Sequence, residues 1–155
     1  MGTLGTKTFR RRYIIIERGV DDMITKEEYV EKYIKLWMKQ ISNPEDYGSE
    51  TKVKAHNKAA RELHLLCEEL HKDGFMSEKV YGELIANEDQ RIRQSAASAC
   101  LKLNSDHGYE IHIDKSVRLL ESISKQDDGG LNWHAKGAER VLKIWRGELD
   151  PRRPW

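Results

Sequence analysis

Two cysteines, three prolines and no long apolar run set the first limits on this 155-residue chain. Cys67 and Cys100 lie far apart inside apolar stretches. No disulfide framework is indicated, and reduced, packed thiols of a cytoplasmic protein are expected. The longest uninterrupted apolar run is Tyr13-Ile14-Ile15-Ile16, too short for the core of a secretory signal or for a membrane span. Three prolines and 11 glycines, most of them outside the periodic stretches, leave little material for the turns of a sandwich or barrel and favour long helices. An excess of one charge is missing too. The 27 Lys and Arg stand against 26 Asp and Glu, a formal net charge of +1, so no global field points to nucleic acid or to an anionic membrane. There is no Gly-rich phosphate loop, Walker sequence or dinucleotide fingerprint, and nucleotide chemistry loses its usual signatures.

What the chain does have is charge mixed with regular apolar clusters. With 34% charged and 38% hydrophobic residues, it carries enough Leu, Ile, Val and Trp in register to build one core, which a domain of this length can bury. Residues 1–22 differ from the rest: they show no 3.6-residue periodicity and hold the Arg10-Arg11-Arg12 cluster. They are expected to be an N-terminal extension, flexible or a non-native leader, with the arginines in a solvated tail or a short added strand. Glu17-Arg18-Gly19 can be encoded by a purine-rich stretch just upstream of Met23, which makes Met23 one candidate for the native start. The domain proper is placed at 23–148 and a C-terminal tail at 149–155.

Within the domain the periodicity predicts about six helices and an all-α fold. Thr25-x-x-Glu28 is a capping box, with Ile24 and Tyr29 as its apolar staple. The first helix is expected from Lys26 to Ser42, stopped by Asn43-Pro44. A second should run from Thr51 to Lys72 and close at Asp73-Gly74, with Gly74 as a left-handed cap. Ser77 starts a third through Ile85. Asn87-Glu88-Asp89 caps a fourth from Gln90 to Leu103, followed by a turn-rich break at Asn104 to Gly108. Tyr109 to Ile113 reads as either an extended connector or a helix start. Asp114 then caps a helix over Lys115 to Ser124, Asp127 to Gly130 forms a loop, and Asn132 caps a last helix through Trp145, ended by Gly147.

An internal repeat organises these helices. Ile92-Arg93-x-x-Ala96-Ala97-x-x-Cys100-Leu101 matches Trp133-His134-x-x-Gly137-Ala138-x-x-Val141-Leu142 at a constant offset of 41 residues. Small side chains four and five positions after a large one let helices approach closely, and the large ones fill the layer between hairpins. The offset falls in the period of HEAT and armadillo repeats, and Asp89-Gln90-Arg91-Ile92-Arg93-x-x-Ala96-Ala97 resembles the Asp-x-x-Val-Arg-x-x-Ala-Ala junction of HEAT repeats. More narrowly, Lys26 to Gly147 resembles an uncharacterised bacterial family of HEAT-like domains of unknown function. That likeness implies an α-α superhelix, a piece of α-solenoid. Two departures are the Asn104 to Ile113 connector without its usual proline, and residues 1–22 without a counterpart.

Candidate chemistry is sparse. His64, Cys67 and His71 recur at i, i+3 and i+7, a spacing that presents three soft ligands on one helical face, but no fourth ligand accompanies them. His107, His112 and Asp114 form a second possible cluster, better explained by loop polarity. Cys67 and Cys100 lack the base and exposure of a nucleophile. Carboxylate pairs such as Glu68-Glu69 are sequence neighbours that diverge on a helix. Trp37, Trp133 and Trp145 could imitate the aromatic wall of HEAT-like alkylpurine glycosylases, yet each sits in an apolar stripe and reads as core. Arg91 and Arg93, beside Asp89, read as pairing groups within the repeat. No catalytic residue, cofactor or metal is therefore expected. The reading is a non-enzymatic, protein-binding helical-repeat module, which the resemblance suggests is an immunity protein that neutralises a cognate bacterial toxin. The partner surface is expected on exposed residues of the fourth and sixth helices: Arg91, Gln94, Lys136 and Arg140. The alternatives are a HEAT-like DNA-binding or glycosylase-type repair protein and a scaffold subunit.

Overall fold

A computed structural model describes residues 24–40, 44–126 and 132–152, and among them the only regular elements are helices. Expectations placed on the remaining positions, including the leader, Met23 and the Asp127 to Gly130 loop, lie outside the described residues. Helix α1 spans Lys26–Met38 and opens on the capping box. The Glu28 amide donates to Thr25 Oγ1 at 3.1 Å, and the Thr25 amide donates to Glu28 Oε1 at 2.9 Å. Tyr29 and Tyr33 are its buried residues. It ends earlier than the apolar stripe implied, and a 3-10 turn, Pro44–Gly48, then packs on α2 (Glu50–Leu70). Ser49 caps α2, its hydroxyl accepting from the Lys52 amide.

The Asp73-Gly74 pair opens a helix instead of closing one. Asp73 Oδ1 accepts from the amides of Phe75 and Met76 at 3.0 and 3.1 Å, so Asp73 is the N-cap of α3, Gly74–Leu84. Gly74 does not take the left-handed conformation. Its missing side chain matters for a different reason: a Cβ there would stand 3.4 Å from the Tyr109 ring. Ser77, the expected helix start, lies one turn in and fully buried, its hydroxyl donating to the Leu70 carbonyl at 2.9 Å. Asp-Gly reads equally as a stop and as a cap, and the buried apolar face of Val80, Tyr81 and Leu84 decides for the cap.

Helix α4 runs Gln90–His107, a full turn beyond the expected end, through the segment that read as a break. Gly108, at φ 73°, supplies the left-handed stop and donates its amide to the Asn104 carbonyl. The connector to α5 (Ile113–Ser124) is extended, and His112, not Asp114, occupies the N-cap position at φ 49°. The His112 ring instead fills the space over Gly82, where a Cβ would approach it to 3.0 Å, and its Nε2 lies 2.9 Å from the Glu78 carbonyl oxygen. Helix α6, Trp133–Trp145, is capped by Asn132, which accepts from the Ala135 amide at 3.0 Å, and Gly147 at φ 78° ends the segment.

Two apolar clusters share α4. Ile92, Ala96, Cys100 and Leu103 face Tyr29, Tyr33, Leu70, Val80, Tyr81 and Leu84 on one side. Ala97 and Leu101 face Leu120, Ile123, Ala138 and Leu142 on the other. Helices α4 and α6 run parallel: Gln94 Nε2 donates to the His134 carbonyl near their starts, and Trp145 Nε1 donates to Asn104 Oδ1 near their ends. Helix α5 runs against α4, as the Gln90–Gln126 side-chain bonds show, and so against the parallel α6, to which Arg146 ties it through Glu121. Ala97 and Ala138 are fully buried where these helices meet, Ala96 is fully buried on the side of the first cluster, and Gly137 lies 3.5 Å, measured from an added Cβ, from Gln94. The repeat match fails at its first position: Ile92 is buried, whereas Trp133 is 80% exposed.

Candidate functional site

The residues nominated as a partner surface lie on the α4 and α6 layer, but they are partly buried rather than exposed. Arg91 forks onto Asp89, with Nη2 2.9 Å from Oδ2 and Nε 3.2 Å from Oδ1, which holds the Asp89 carboxyl below its ordinary range. The same guanidinium lies over the Trp37 ring at 5.8 Å and reaches Met38 Sδ at 3.8 Å. Arg93 donates to the Asn87 carbonyl. Both arginines thus serve the turn between α3 and α4. One turn on from Arg91, Gln94 crosses to α6. Arg140 donates to the Pro151 carbonyl at 3.2 Å and fastens the segment after α6. Lys136 neighbours Gly137, the position Gln94 overlies.

Arg91 thus touches Met38, and one turn on Gln94 touches the start of α6, where Trp133 projects. Met38 is 49% and Trp133 80% exposed. The sequence reading placed Trp133 in the core because it aligned with Ile92. As the first residue of α6 it precedes the inward stripe of Ala135, Ala138 and Leu142 and turns away from it. The signal available in the sequence was its position directly after the N-cap Asn132. The other two described tryptophans pack against the core, Trp37 against the first cluster and Trp145 against the second.

Inside the first cluster a polar seam crosses the core. Tyr33 and Ser95 share a hydrogen bond between their hydroxyls. Tyr81, fully buried, meets Tyr33 edge-on at 6.1 Å, and its hydroxyl lies 2.6 Å from His71 Nε2 and 3.8 Å from Cys67 Sγ. The short bond between the Tyr81 hydroxyl and His71 Nε2 is much the stronger of the two contacts, and its donor is set by the His71 tautomer. Burial pushes both tyrosines well above their ordinary range and raises Cys67; it pushes Cys100 up to about 11. Burial also lowers His71, with the charges of His107 and Lys102 adding to it. Protonated thiols beside neutral groups do not make nucleophiles at neutral pH.

The candidate ligand sets do not converge. His64 pairs with Glu68 on the surface, while Cys67 and His71 turn inward to Tyr81. His107 stacks on Tyr109 at 5.1 Å, while the His112 ring packs on α3. Among the described residues no group of three or more His, Cys, Asp or Glu is placed to hold a metal, and no helix is long and apolar enough to cross a membrane. An open depression of about 500 Å3 between α1 and α3 is lined by Lys26, Glu27, Met76 and Lys79. Lys26 is already paired there with Glu27 and Glu83, and a single methionine gives it little apolar wall. Comparison of the chain with protein-family models, with curated proteins and with solved structures finds no match.

Proposed function

We propose that this chain is a non-enzymatic, HEAT-like helical-repeat module that docks another protein through the α4 and α6 layer. On this reading it is a cytoplasmic immunity protein that neutralises a cognate bacterial toxin. The observation that carries the docking role is Trp133: a large aromatic, 80% exposed, at the mouth of a ridge holding Met38, Arg91, Gln94, Lys136 and Arg140. Trp, Met and Arg are the residue types enriched at protein interfaces, and tryptophan supplies a large share of hot-spot energies. The bonds of Gln94 and Arg140 hold this surface in one geometry, which lowers the entropy lost on docking. The toxin assignment rests on the family resemblance.

The test is rescue of cells expressing the toxin encoded beside this reading frame, with affinity measured on the purified pair. The wild-type chain restores growth, and Trp133→Ala weakens binding by roughly 30-fold, the effect of a hot-spot truncation of about 2 kcal/mol. Thermal stability of the variant is unchanged. Equal affinity of the variant and the wild type would remove the ridge from the interface. Salt-sensitive binding to alkylated duplex with base release would replace the reading with that of a repair protein.

A further inference from the structure

The outer face of α2 carries charge in an arrangement its own helix does not favour. At 100° per residue, Lys54, Lys58, Arg61, Leu65 and Glu68 fall within about 80° of one another, and all five are exposed. Glu62 and Glu69, also exposed, flank the acidic half. Apart from Glu50 at the start, cations occupy the N-terminal half of this face and carboxylates the C-terminal half. That is the reverse of what the helix macrodipole favours. Lys54, Lys58 and Arg61 form no ion pair with any other described residue. Leu65, 57% exposed, sits between the two halves. Helix α2 packs on α1, α3 and the Pro44–Gly48 turn, on the far side of the molecule from α6, so this face lies at an edge.

We infer that a second copy of this chain covers the face, the two α2 helices crossing antiparallel about a two-fold axis near Arg61 to Leu65. A face with one sign at each end is complementary to itself under that rotation, and an isologous contact needs no other surface. The cationic half of one helix then lies along Glu68 and Glu69 of the other, Arg61 lies beside Glu62, and each Leu65 covers the alkyl stems of Lys58 and Arg61. The antiparallel macrodipoles also complement one another, which resolves the unfavourable placement within a single helix. The exposed His64–Glu68 and Lys72–Glu69 pairs are exchanged at little cost. A 21-residue helix buries only about 600 Å2 in total this way, so the dimer is weak, with a dissociation constant on the order of 100 μM. The acids that satisfy the cations are present on this chain itself, and this favours a second copy over an acidic partner of another kind.

Sedimentation velocity of the full chain at increasing concentration tests this without knowledge of any other partner, and so fails or succeeds apart from the toxin reading. The wild type should dimerise at about 0.05 M salt and dissociate near 1 M. Lys58→Glu with Arg61→Glu should be monomeric, as should Glu62→Lys with Glu68→Lys and Glu69→Lys, both with unchanged circular dichroism. An equimolar mixture of the two should associate as a heterodimer. A wild type that stays monomeric at about 1 mM in low salt, a dimer indifferent to salt or to either charge reversal, or a mixture that fails to associate would overturn the proposal. So would a dimer abolished by Trp133→Ala.

Discussion

Replacing Tyr81 by Phe separates what its ring does from what its hydroxyl does. The ring is fully buried between Tyr33 and His71, with centroids at 6.1 and 5.6 Å, and Phe keeps those contacts. The hydroxyl shares a hydrogen bond with His71 Nε2 at 2.6 Å and lies 3.8 Å from the weak acceptor Cys67 Sγ. Its removal leaves His71 Nε2 without that partner, but His71 is only half-buried and water can partly replace it. The thiol loses little. Tyr81→Phe is therefore expected to destabilise by about 1 kcal/mol, whereas Tyr81→Ala, which also empties the ring site, should lose about 3–5 kcal/mol. Urea titrations at fixed pH measure both, and for a chain of this length the Phe variant should melt about 2–4 °C lower. A double-mutant cycle with His71→Ala apportions the hydroxyl pair. If Phe were neutral or stabilising, the seam would not be held by that hydrogen bond, and if Phe were as damaging as Ala, the ring would contribute nothing beyond it.

The His71 imidazole takes up a proton less readily in the folded chain than in the unfolded one, chiefly through desolvation. Stability should be unaffected above its ordinary pKa of 6.5 and should fall as pH drops through that value toward the lowered folded pKa, a slope that His71→Gln removes from equilibrium unfolding curves. Gly108→Ala meets nothing within 4 Å, so its effect is purely that of a left-handed backbone, about 1 kcal/mol of destabilisation with an unchanged denaturant slope. Gly137→Ala should be neutral or stabilising by up to ~1 kcal/mol, because its Cβ makes an ordinary 3.5 Å contact with Gln94 and the helix gains propensity. Ala138→Leu, at a fully buried neighbour, should destabilise by about 1–3 kcal/mol through overpacking. Thermal melts of this pair check whether only one of the two small residues is a close-packing site.

Helix number and most starts were legible because they are local: Thr25, Asp89 and Asn132 all cap as their side chains dictate. The errors fall where one local pattern has two physical meanings. Asp73 has a carboxylate that caps and a following glycine that stops, and the burial of Val80, Tyr81 and Leu84 on the helix it opens decides which applies. Asn104 looked like a turn former, yet its amide bonds the Tyr109 carbonyl and its oxygen takes the Trp145 indole, so the helix passes through it. His112 was invisible as a cap because its αL backbone is held by the fit of its ring over Gly82. On the proposed docking face, Arg91, Gln94, Lys136 and Arg140 were nominated, but their internal bonds follow from tertiary contacts. Trp133 was assigned to the core because alignment to Ile92 ignores where the two helices begin relative to the bundle.

The 41-residue offset acquires a physical meaning from the bonds between α4 and α6. Gln94 reaches the carbonyl 40 positions on and Asn104 receives the indole 41 positions on, so equivalent turns of the two helices stand side by side through their whole lengths. The first bond passes close by Gly137, and a connector without proline admits the second because Asn104 remains helical. Two polar fasteners at opposite ends of a parallel pair resist both sliding and splaying, motions that a seam of alanines alone would permit. Since α4 also supplies one wall of each apolar cluster, loosening either fastener shifts the helix on which both clusters depend. Trp133 projects from the first turn of α6, immediately beside the Gln94 bond that ties the starts of α4 and α6.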